Sequence, residues 1–137
     1  MILDSSTIVA ILRAEPEAQD FTKAIESAVD SPEGCRVSAV SYVETAIVID
    51  SARDAIASRR FDDFFRTGRI TVEAVTPRQA EIARLAYRDF GKGRHKAGLN
   101  LGECFAYALA KEKDEPLLFK GDDFRHTDVE PAPRFNA

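Results

Sequence analysis

Short apolar runs, each followed by segments of helical periodicity, recur along this chain and leave few folds open to it. Ile2-Leu3 stops at Asp4-Ser5-Ser6, a buried strand running into a capped helix whose apolar side is Ile8, Val9, Ile11 and Leu12. Glu15-Pro16-Glu17 restarts a second helix, since proline is tolerated in a first turn. Phe21, Ala24, Ile25, Ala28 and Val29 then follow at helical spacing. After a loop at 30–34, Arg36-Val37-Ser38 reads as a short strand. A long helix is expected from Ser41 to about Ser58, and another through Phe61, Phe64 and Phe65 that Gly68 ends. The alternating, β-branched stretch 70–75 reads as a strand, and Thr76-Pro77 opens a helix bearing Ala80, Ala83, Ala86 and Tyr87. Gly91, Gly93 and Gly98 mark a flexible basic loop. A helix over 101–113, a buried strand over 116–119 and a short last strand over 128–130 complete the order. Strands alternating with helices imply βαβ units and a mainly parallel sheet covered on both faces. In such sheets ligands bind at the carboxyl ends of the strands.

The length of 137 residues fits one domain over 1–137 with a sizeable core. No apolar run approaches the ~18 residues of a membrane span. Met1-Ile-Leu-Asp4 lacks the basic start of an export signal, so a cytoplasmic protein with no membrane partner is expected. Cys35 and Cys104 form no CxxC and are expected as free thiols packed like small apolar groups. Two histidines without a cysteine cluster argue against zinc. The net charge of −4 runs against a nucleic-acid partner, but its distribution does not. Arg84, Arg88, Lys92, Arg94, His95 and Lys96 form one dense basic stretch.

Four acidic positions fall at strand–helix junctions or helix starts. Asp4 follows the first strand, where it also suits an N-cap. Glu44 shares a helix face with Val40, Ile47 and Val48, and a carboxylate in an apolar stripe is costly unless paired or metal-bound. Glu103 faces Ala106, Tyr107 and Ala110. Both Ser41-Tyr-Val-Glu44 and Asn100-Leu-Gly-Glu103 also have the spacing of a capping box. Asp122-Asp123 follows the strand at 117–119 through a turn at Lys120-Gly121, where solvated turn residues are equally natural. Clustered carboxylates repel one another and call for a cation, and hard divalent ions prefer such oxygen donors. No phosphate-binding glycine loop and no G-x-S-x-G elbow accompany them.

In their order along the chain these segments resemble the motifs of PIN-domain proteins. Met-Ile-Leu-Asp4-Ser5-Ser6 resembles the family's opening, and Ser41-Tyr-Val-Glu44 its second acidic motif. The stretch from Gly93 through Asn100-Leu-Gly-Glu103-Cys104 to Ala110 is similar to the third motif of VapC-type toxins. Leu117-Leu-Phe-Lys120-Gly121-Asp122-Asp123-Phe124, followed by Thr127-Asp128, is similar to their last. The resemblance implies a three-layer α/β fold with a roughly five-stranded parallel sheet. It implies RNA cleavage dependent on Mg²⁺ or Mn²⁺, the metal held by Asp4, Glu44, Glu103 and Asp123. Asp122 is implied as a further or water-mediated ligand, with Ser6 and Asn100 in support. It also implies a VapB-like antitoxin as partner and a homodimer. One position departs from the pattern: the third motif usually carries aspartate where this chain has Glu103. The expectation is that Glu103 still binds metal, with altered geometry.

Arg94, His95 and Lys96 are the candidates for the RNA backbone, since basic side chains position a strand through its phosphates. Phe105, Tyr107 and the Phe61, Phe64, Phe65 cluster are expected to pack. That phenylalanine cluster is further expected to line a surface for the antitoxin or a second subunit. Three other readings compete. In a non-catalytic interaction module the acids would simply cap helices. A receiver-like phosphotransfer domain needs an aspartate after its third strand and a lysine partner, and Glu73 and Arg78 occupy that region. A DNA-directed nuclease of the same fold would need room for a duplex, which this short chain lacks.

Overall fold

The computed structural model describes residues 1–133. Its elements are β1 (Ile2–Leu3), α1 (Ser5–Leu12), α2 (Ala18–Ala28), β2 (Arg36–Ser38), α3 (Ala39–Asp50), α4 (Ala55–Thr67), β3 (Thr71–Glu73), α5 (Pro77–Phe90), α6 (Leu101–Lys113) and β4 (Leu117–Leu118). A 3₁₀ turn at Asp123–His126 follows. The strands form one parallel sheet in the order β3-β2-β1-β4, with Ile2 opposite both Arg36 and Leu117.

Alternation along the strands divides the core between the two faces of the sheet. Ile2 and Leu117 point to α5 and α6, where they pack with Ala83, Ala106 and Leu109. Leu3, Val37 and Leu118 point the other way, onto Ile8, Phe21 and Ile25 of α1 and α2. This is the expected three-layer arrangement, with β1, β2 and β4 buried between the layers and the edge strand β3 largely exposed. The sheet has four strands where roughly five were expected. The last segment still runs beside β4, where the Leu117 N–H donates to the Glu130 carbonyl and the Ala132 N–H to the Leu117 carbonyl, both at 2.8 Å. Among the described residues it forms only a single bridge at Pro131, whose missing N–H falls on the side away from β4, an edge position that proline tolerates.

Two helix boundaries also differ from the sequence expectation. The expected long helix is α3 and α4, separated at residues 51–54, and Asp54 caps the second by accepting from the N–H groups of Ile56 and Ala57. Moreover, α3 begins directly at the end of β2, capped by Ser38, so Ser41 lies inside the helix and forms no capping box with Glu44. The buried side of α3 is Ser41, Thr45 and Ile49. Small hydroxyl residues there let α3 pack closely, and Ile47, 62% exposed, and Val48 face outward instead. The phenylalanine cluster packs together and, through Phe64 and Phe65, against the core that holds Ile8 and Phe21: Phe61 is buried and contacts Tyr42 and Phe65 with ring centroids 5.3 and 4.9 Å away. Phe64 alone of the three borders an open cleft, with Ile11 and Ile25.

The strand order reverses between β1 and β4. This is the topological switch point, the place where open parallel sheets accept ligands.

Candidate active site

The first carboxylate is fixed by the chain's own turn from strand to helix. Asp4 caps α1, its Oδ2 accepting from the Ser6 N–H at 3.1 Å and the Ser6 hydroxyl at 2.5 Å. Ser6 Oγ accepts in turn from the Lys120 N–H at 3.0 Å, so one serine joins the ends of β1 and β4. Asp4 is 3% exposed, and its Oδ1 has no hydrogen-bond partner among the described residues. Leaving a buried acceptor unpaired is costly. Burial accordingly raises the Asp4 pKa above the ordinary carboxylate range, the Ser6 bonds oppose this, and the charge of Asp123 adds to it.

Glu44 reaches the same edge from α3. Its carboxylate lies against Gly102 of α6: a Cβ at that glycine would stand 1.8 Å from Glu44 Oε1. The burial expected from an apolar stripe on α3 comes instead from this approach to α6. Burial and the nearby Asp4 charge both raise its pKa.

Glu103 sits in the first turn of α6 and does form the capping box. Asn100 Oδ1 accepts from the Glu103 N–H at 2.9 Å, and Glu103 Oε1 accepts from the Asn100 N–H at 3.1 Å. Its pKa is pushed up to about 7, chiefly by burial, then by the charges of Asp4 and Asp123 and a hydrogen bond with Asp123. Asp123 opens the 3₁₀ turn after β4. Asp4, Glu44, Glu103 and Asp123 are thus electrostatic neighbours at one edge of the sheet. Asp122 is set apart, its side chain 83% exposed and 3.5 Å from the Arg125 Nε. Among the described residues, no three carboxylate, histidine or cysteine groups are placed together so that they could hold a metal ion.

The basic candidates lie on the loop that feeds α6. The loop is closed at its base by a bridge between Gly91 and Leu99. Arg94 and Lys96 are exposed, and the Arg94 guanidinium lies 5.6 Å from the centre of the Tyr87 ring. His95 staples the loop: its Nδ1 accepts from the Ala97 N–H at 3.0 Å, and its ring stands edge-on to Phe90.

Two residues of this neighbourhood escaped the sequence reading. Lys120 looks in the sequence like no more than a turn residue, yet its ammonium pairs with Glu15 at 3.1 Å and Glu17 at 3.5 Å, clamping the turn between α1 and α2 to the end of β4. Gly102 carried one signal, a glycine inside the first turn of a helix that otherwise favours better helix formers.

A parallel α/β sheet with carboxylates gathered at its switch point defines the class, and the sequence profile of the PIN domain matches residues 1–130. The curated relatives are closer still. Ribonuclease VapC28 of Mycobacterium tuberculosis is 50% identical over 133 residues, 96% of this chain and 97% of the relative. Ribonuclease VapC of Mycolicibacterium smegmatis is 49% identical over 129 residues, 94% of this chain and 97% of the relative. The chain therefore belongs to the PIN-domain family, among its VapC ribonucleases. Solved structures agree on the fold. VapC20 of Mycobacterium tuberculosis, described as a sarcin–ricin loop cleaving toxin, superposes with a TM-score of 0.68 at 18% identity, covering 96% of this chain and 98% of that one. A toxin–antitoxin complex from Klebsiella pneumoniae gives 0.68 at 13% identity, covering 93% and 92%. Among the described residues, no helix is long and apolar enough to cross a membrane.

Proposed function

We propose that this chain is a divalent-metal-dependent endoribonuclease, the toxin of a VapBC-like toxin–antitoxin pair. The observation that carries this reading is the convergence of Asp4, Glu44, Glu103 and Asp123 at the switch point, three of them held above their ordinary pKa. The donor set fits a hard cation. It is all oxygen, its members repel one another, and the buried Asp4 Oδ1 has no hydrogen-bond partner among the described residues. Mg²⁺ or Mn²⁺ held by Asp4, Glu103 and Asp123, with Glu44 and Asp122 contributing directly or through water, is the proposed loading. Such an ion supplies positive charge for the phosphoryl oxygens and acidifies water.

The protein's own part begins with Ser6, which orients Asp4 through two hydrogen bonds to Oδ2 and leaves Oδ1 unbonded among the described residues. Asp4 or Glu44 accepts the proton of the attacking water. Attack at phosphorus breaks the bond to O3′, leaving a 5′-phosphate and a 3′-hydroxyl. Arg94, Lys96 and the exposed edge of His95 offset backbone phosphates without reading sequence. A VapB-like antitoxin is the proposed protein partner, consistent with the relatives' names and with a fold neighbour solved as a toxin–antitoxin complex. A homodimer belongs to the same proposal, with the outward Val43 and Ile47 of α3 available to it.

The test is cleavage of total cellular RNA by antitoxin-free protein in Mg²⁺, Mn²⁺ or EDTA, with Asp4→Ala as control. Discrete fragments with 5′-phosphate ends, lost with EDTA and with Asp4→Ala, are expected. Ends bearing 2′,3′-cyclic phosphate overturn the water mechanism. Inactivity in both metals, unrelieved by Glu103→Asp, overturns the nuclease reading in favour of an interaction module whose acids cap helices.

A further inference from the structure

Beside the acidic edge the structure holds a second concavity to which the nuclease reading gives no role. Helices α5 and α6 pack antiparallel: Thr76 and Gln79 at the start of α5 hydrogen-bond Glu112 near the end of α6, and Gly91 bridges to Leu99 at the other end. Between them lies an open cleft of about 390 Å³, within the range of small-ligand sites. One wall is Ala80, Ala83 and Tyr87, a single stripe of α5, and the other is Leu101, Cys104 and Phe105 of α6. Large apolar groups are left in water at its mouth, with Leu101 70% and Tyr87 42% exposed.

The charge around this mouth is positive. Arg84 lines the cleft, and the Arg94 guanidinium lies over the Tyr87 ring. Lys92 follows in the same loop, its carbonyl accepting from the Tyr87 hydroxyl. The acids of α5 lie on another side of the helix, Glu81 and Asp89 lining a separate hollow with Ile82 and Leu85. Leu101 and Phe105 flank Glu103 in sequence on α6, so cleft and acidic cluster occupy two sides of one helix, roughly 10 Å apart. An apolar slot with an aromatic wall and a cationic rim matches an unpaired nucleotide, with a base to stack and a phosphate to neutralise. A neutral peptide would leave the arginines unanswered.

We propose that the α5–α6 cleft is a base-binding subsite, taking one unpaired nucleobase of the RNA strand against Tyr87 and Phe105 while Arg84 and Arg94 meet the adjoining phosphates. The subsite rests on the ribonuclease reading and adds to it where the strand leaves the acidic cluster. It makes Tyr87 a determinant of which strands are held, and leaves the bond-breaking groups untouched.

The experiment uses a labelled single-stranded RNA spanning a cut mapped in total RNA, bound to full-length protein carrying Asp4→Ala so that the strand stays whole. A matching series carries one abasic nucleotide at each position near the cut. Tyr87→Ala is expected to weaken binding of the intact strand ~10-fold, and Tyr87→Phe to leave it unchanged. One abasic position should weaken binding to Tyr87-containing protein equally and lose nothing further when Tyr87 is also removed. Arg84→Gln should lower the salt dependence by about one phosphate contact, whichever base is present. In protein with Asp4 restored, Tyr87→Ala should raise KM with kcat retained. Additive losses in that cycle, or unchanged binding by Tyr87→Ala, overturn the subsite. If sedimentation shows that Tyr87→Ala instead weakens self-association, the cleft seats a second copy of this chain and the proposal is overturned. Wild-type protein that cuts no RNA fails at the earlier step and condemns the ribonuclease reading itself.

Discussion

Position 102 shows how far a single hydrogen atom can govern the site. Alanine is a better helix residue than glycine by roughly 1 kcal/mol, so Gly102→Ala in the first turn of α6 should leave the melting temperature unchanged or slightly raised. Its methyl group, however, would occupy the space of the Glu44 carboxylate, which is free to swing away. Displacement of a reacting group by ~1 Å can cost about a hundredfold in rate. The expected outcome is a stable protein with cleavage reduced ten- to a hundredfold, read by melting and single-turnover assay on the same preparation. Full activity would show that Glu44 can be moved without consequence. Glu103 is explained at the same scale. The glutamate reaches back to the Asn100 N–H as well as forward to Asp123, which gives the side chain a structural purpose.

That purpose is carried by an element, the first turn of α6. Asn100→Ala removes one half of the capping box and should cost about 1 kcal/mol in stability. It also frees the Glu103 backbone, so activity should fall by more than the small loss of folded protein explains. Asn100→Asp, which still caps, should restore both; urea unfolding paired with cleavage rates checks this. The elements themselves were largely readable from the sequence, because β1, β2, β4, α2, α5 and α6 announce their periods and caps locally. The start of α3 was not, since a helix that begins directly at the last residue of a strand turns its stripe by a few residues. Ser41 and Thr45 then face inward only because neighbouring helices come close, a tertiary fact. Likewise the last segment meets β4 at the single bridge of Pro131, a pairing set by its place beside β4 and not by its local pattern. Three carboxylates of the site were visible singly as helix starts or stripe breakers. Their mutual influence, and the Lys120 clamp onto Glu15 and Glu17, depend on strand order, which no local pattern carries.

Across the whole molecule the raised carboxyl pKa values give stability an uncommon dependence on pH. Asp4, Glu44 and Glu103 hold protons more tightly folded than unfolded. As pH rises past the ordinary carboxylate pKa the unfolded chain sheds these protons first, so folding loses stability until Glu103 has also titrated near pH 7. Asp128 and Glu112, whose pKa values are lowered, act in the opposite sense, and lose their contribution only as pH falls into the acid range. In EDTA the melting temperature should therefore fall between about pH 5 and 8. Mg²⁺ should raise it more at the upper end than at the lower, and Glu103→Gln should flatten the metal-free slope. A metal-free curve that rises steadily through that window would contradict the electrostatic account of the cluster.

The order β3-β2-β1-β4 has a consequence for the making of the molecule. It seats the strand before Asp4 beside the strand before Asp123, although roughly 120 residues of chain separate them. At a translation rate of ~5–20 residues per second, the ribosome delivers the second of these acids roughly 6 to 24 s after the first. Until then the central strand lacks one neighbour and the acidic edge lacks one side. A nascent chain carries only part of the acidic edge until β4 emerges, and a chain interrupted before β4 lacks Asp123 altogether.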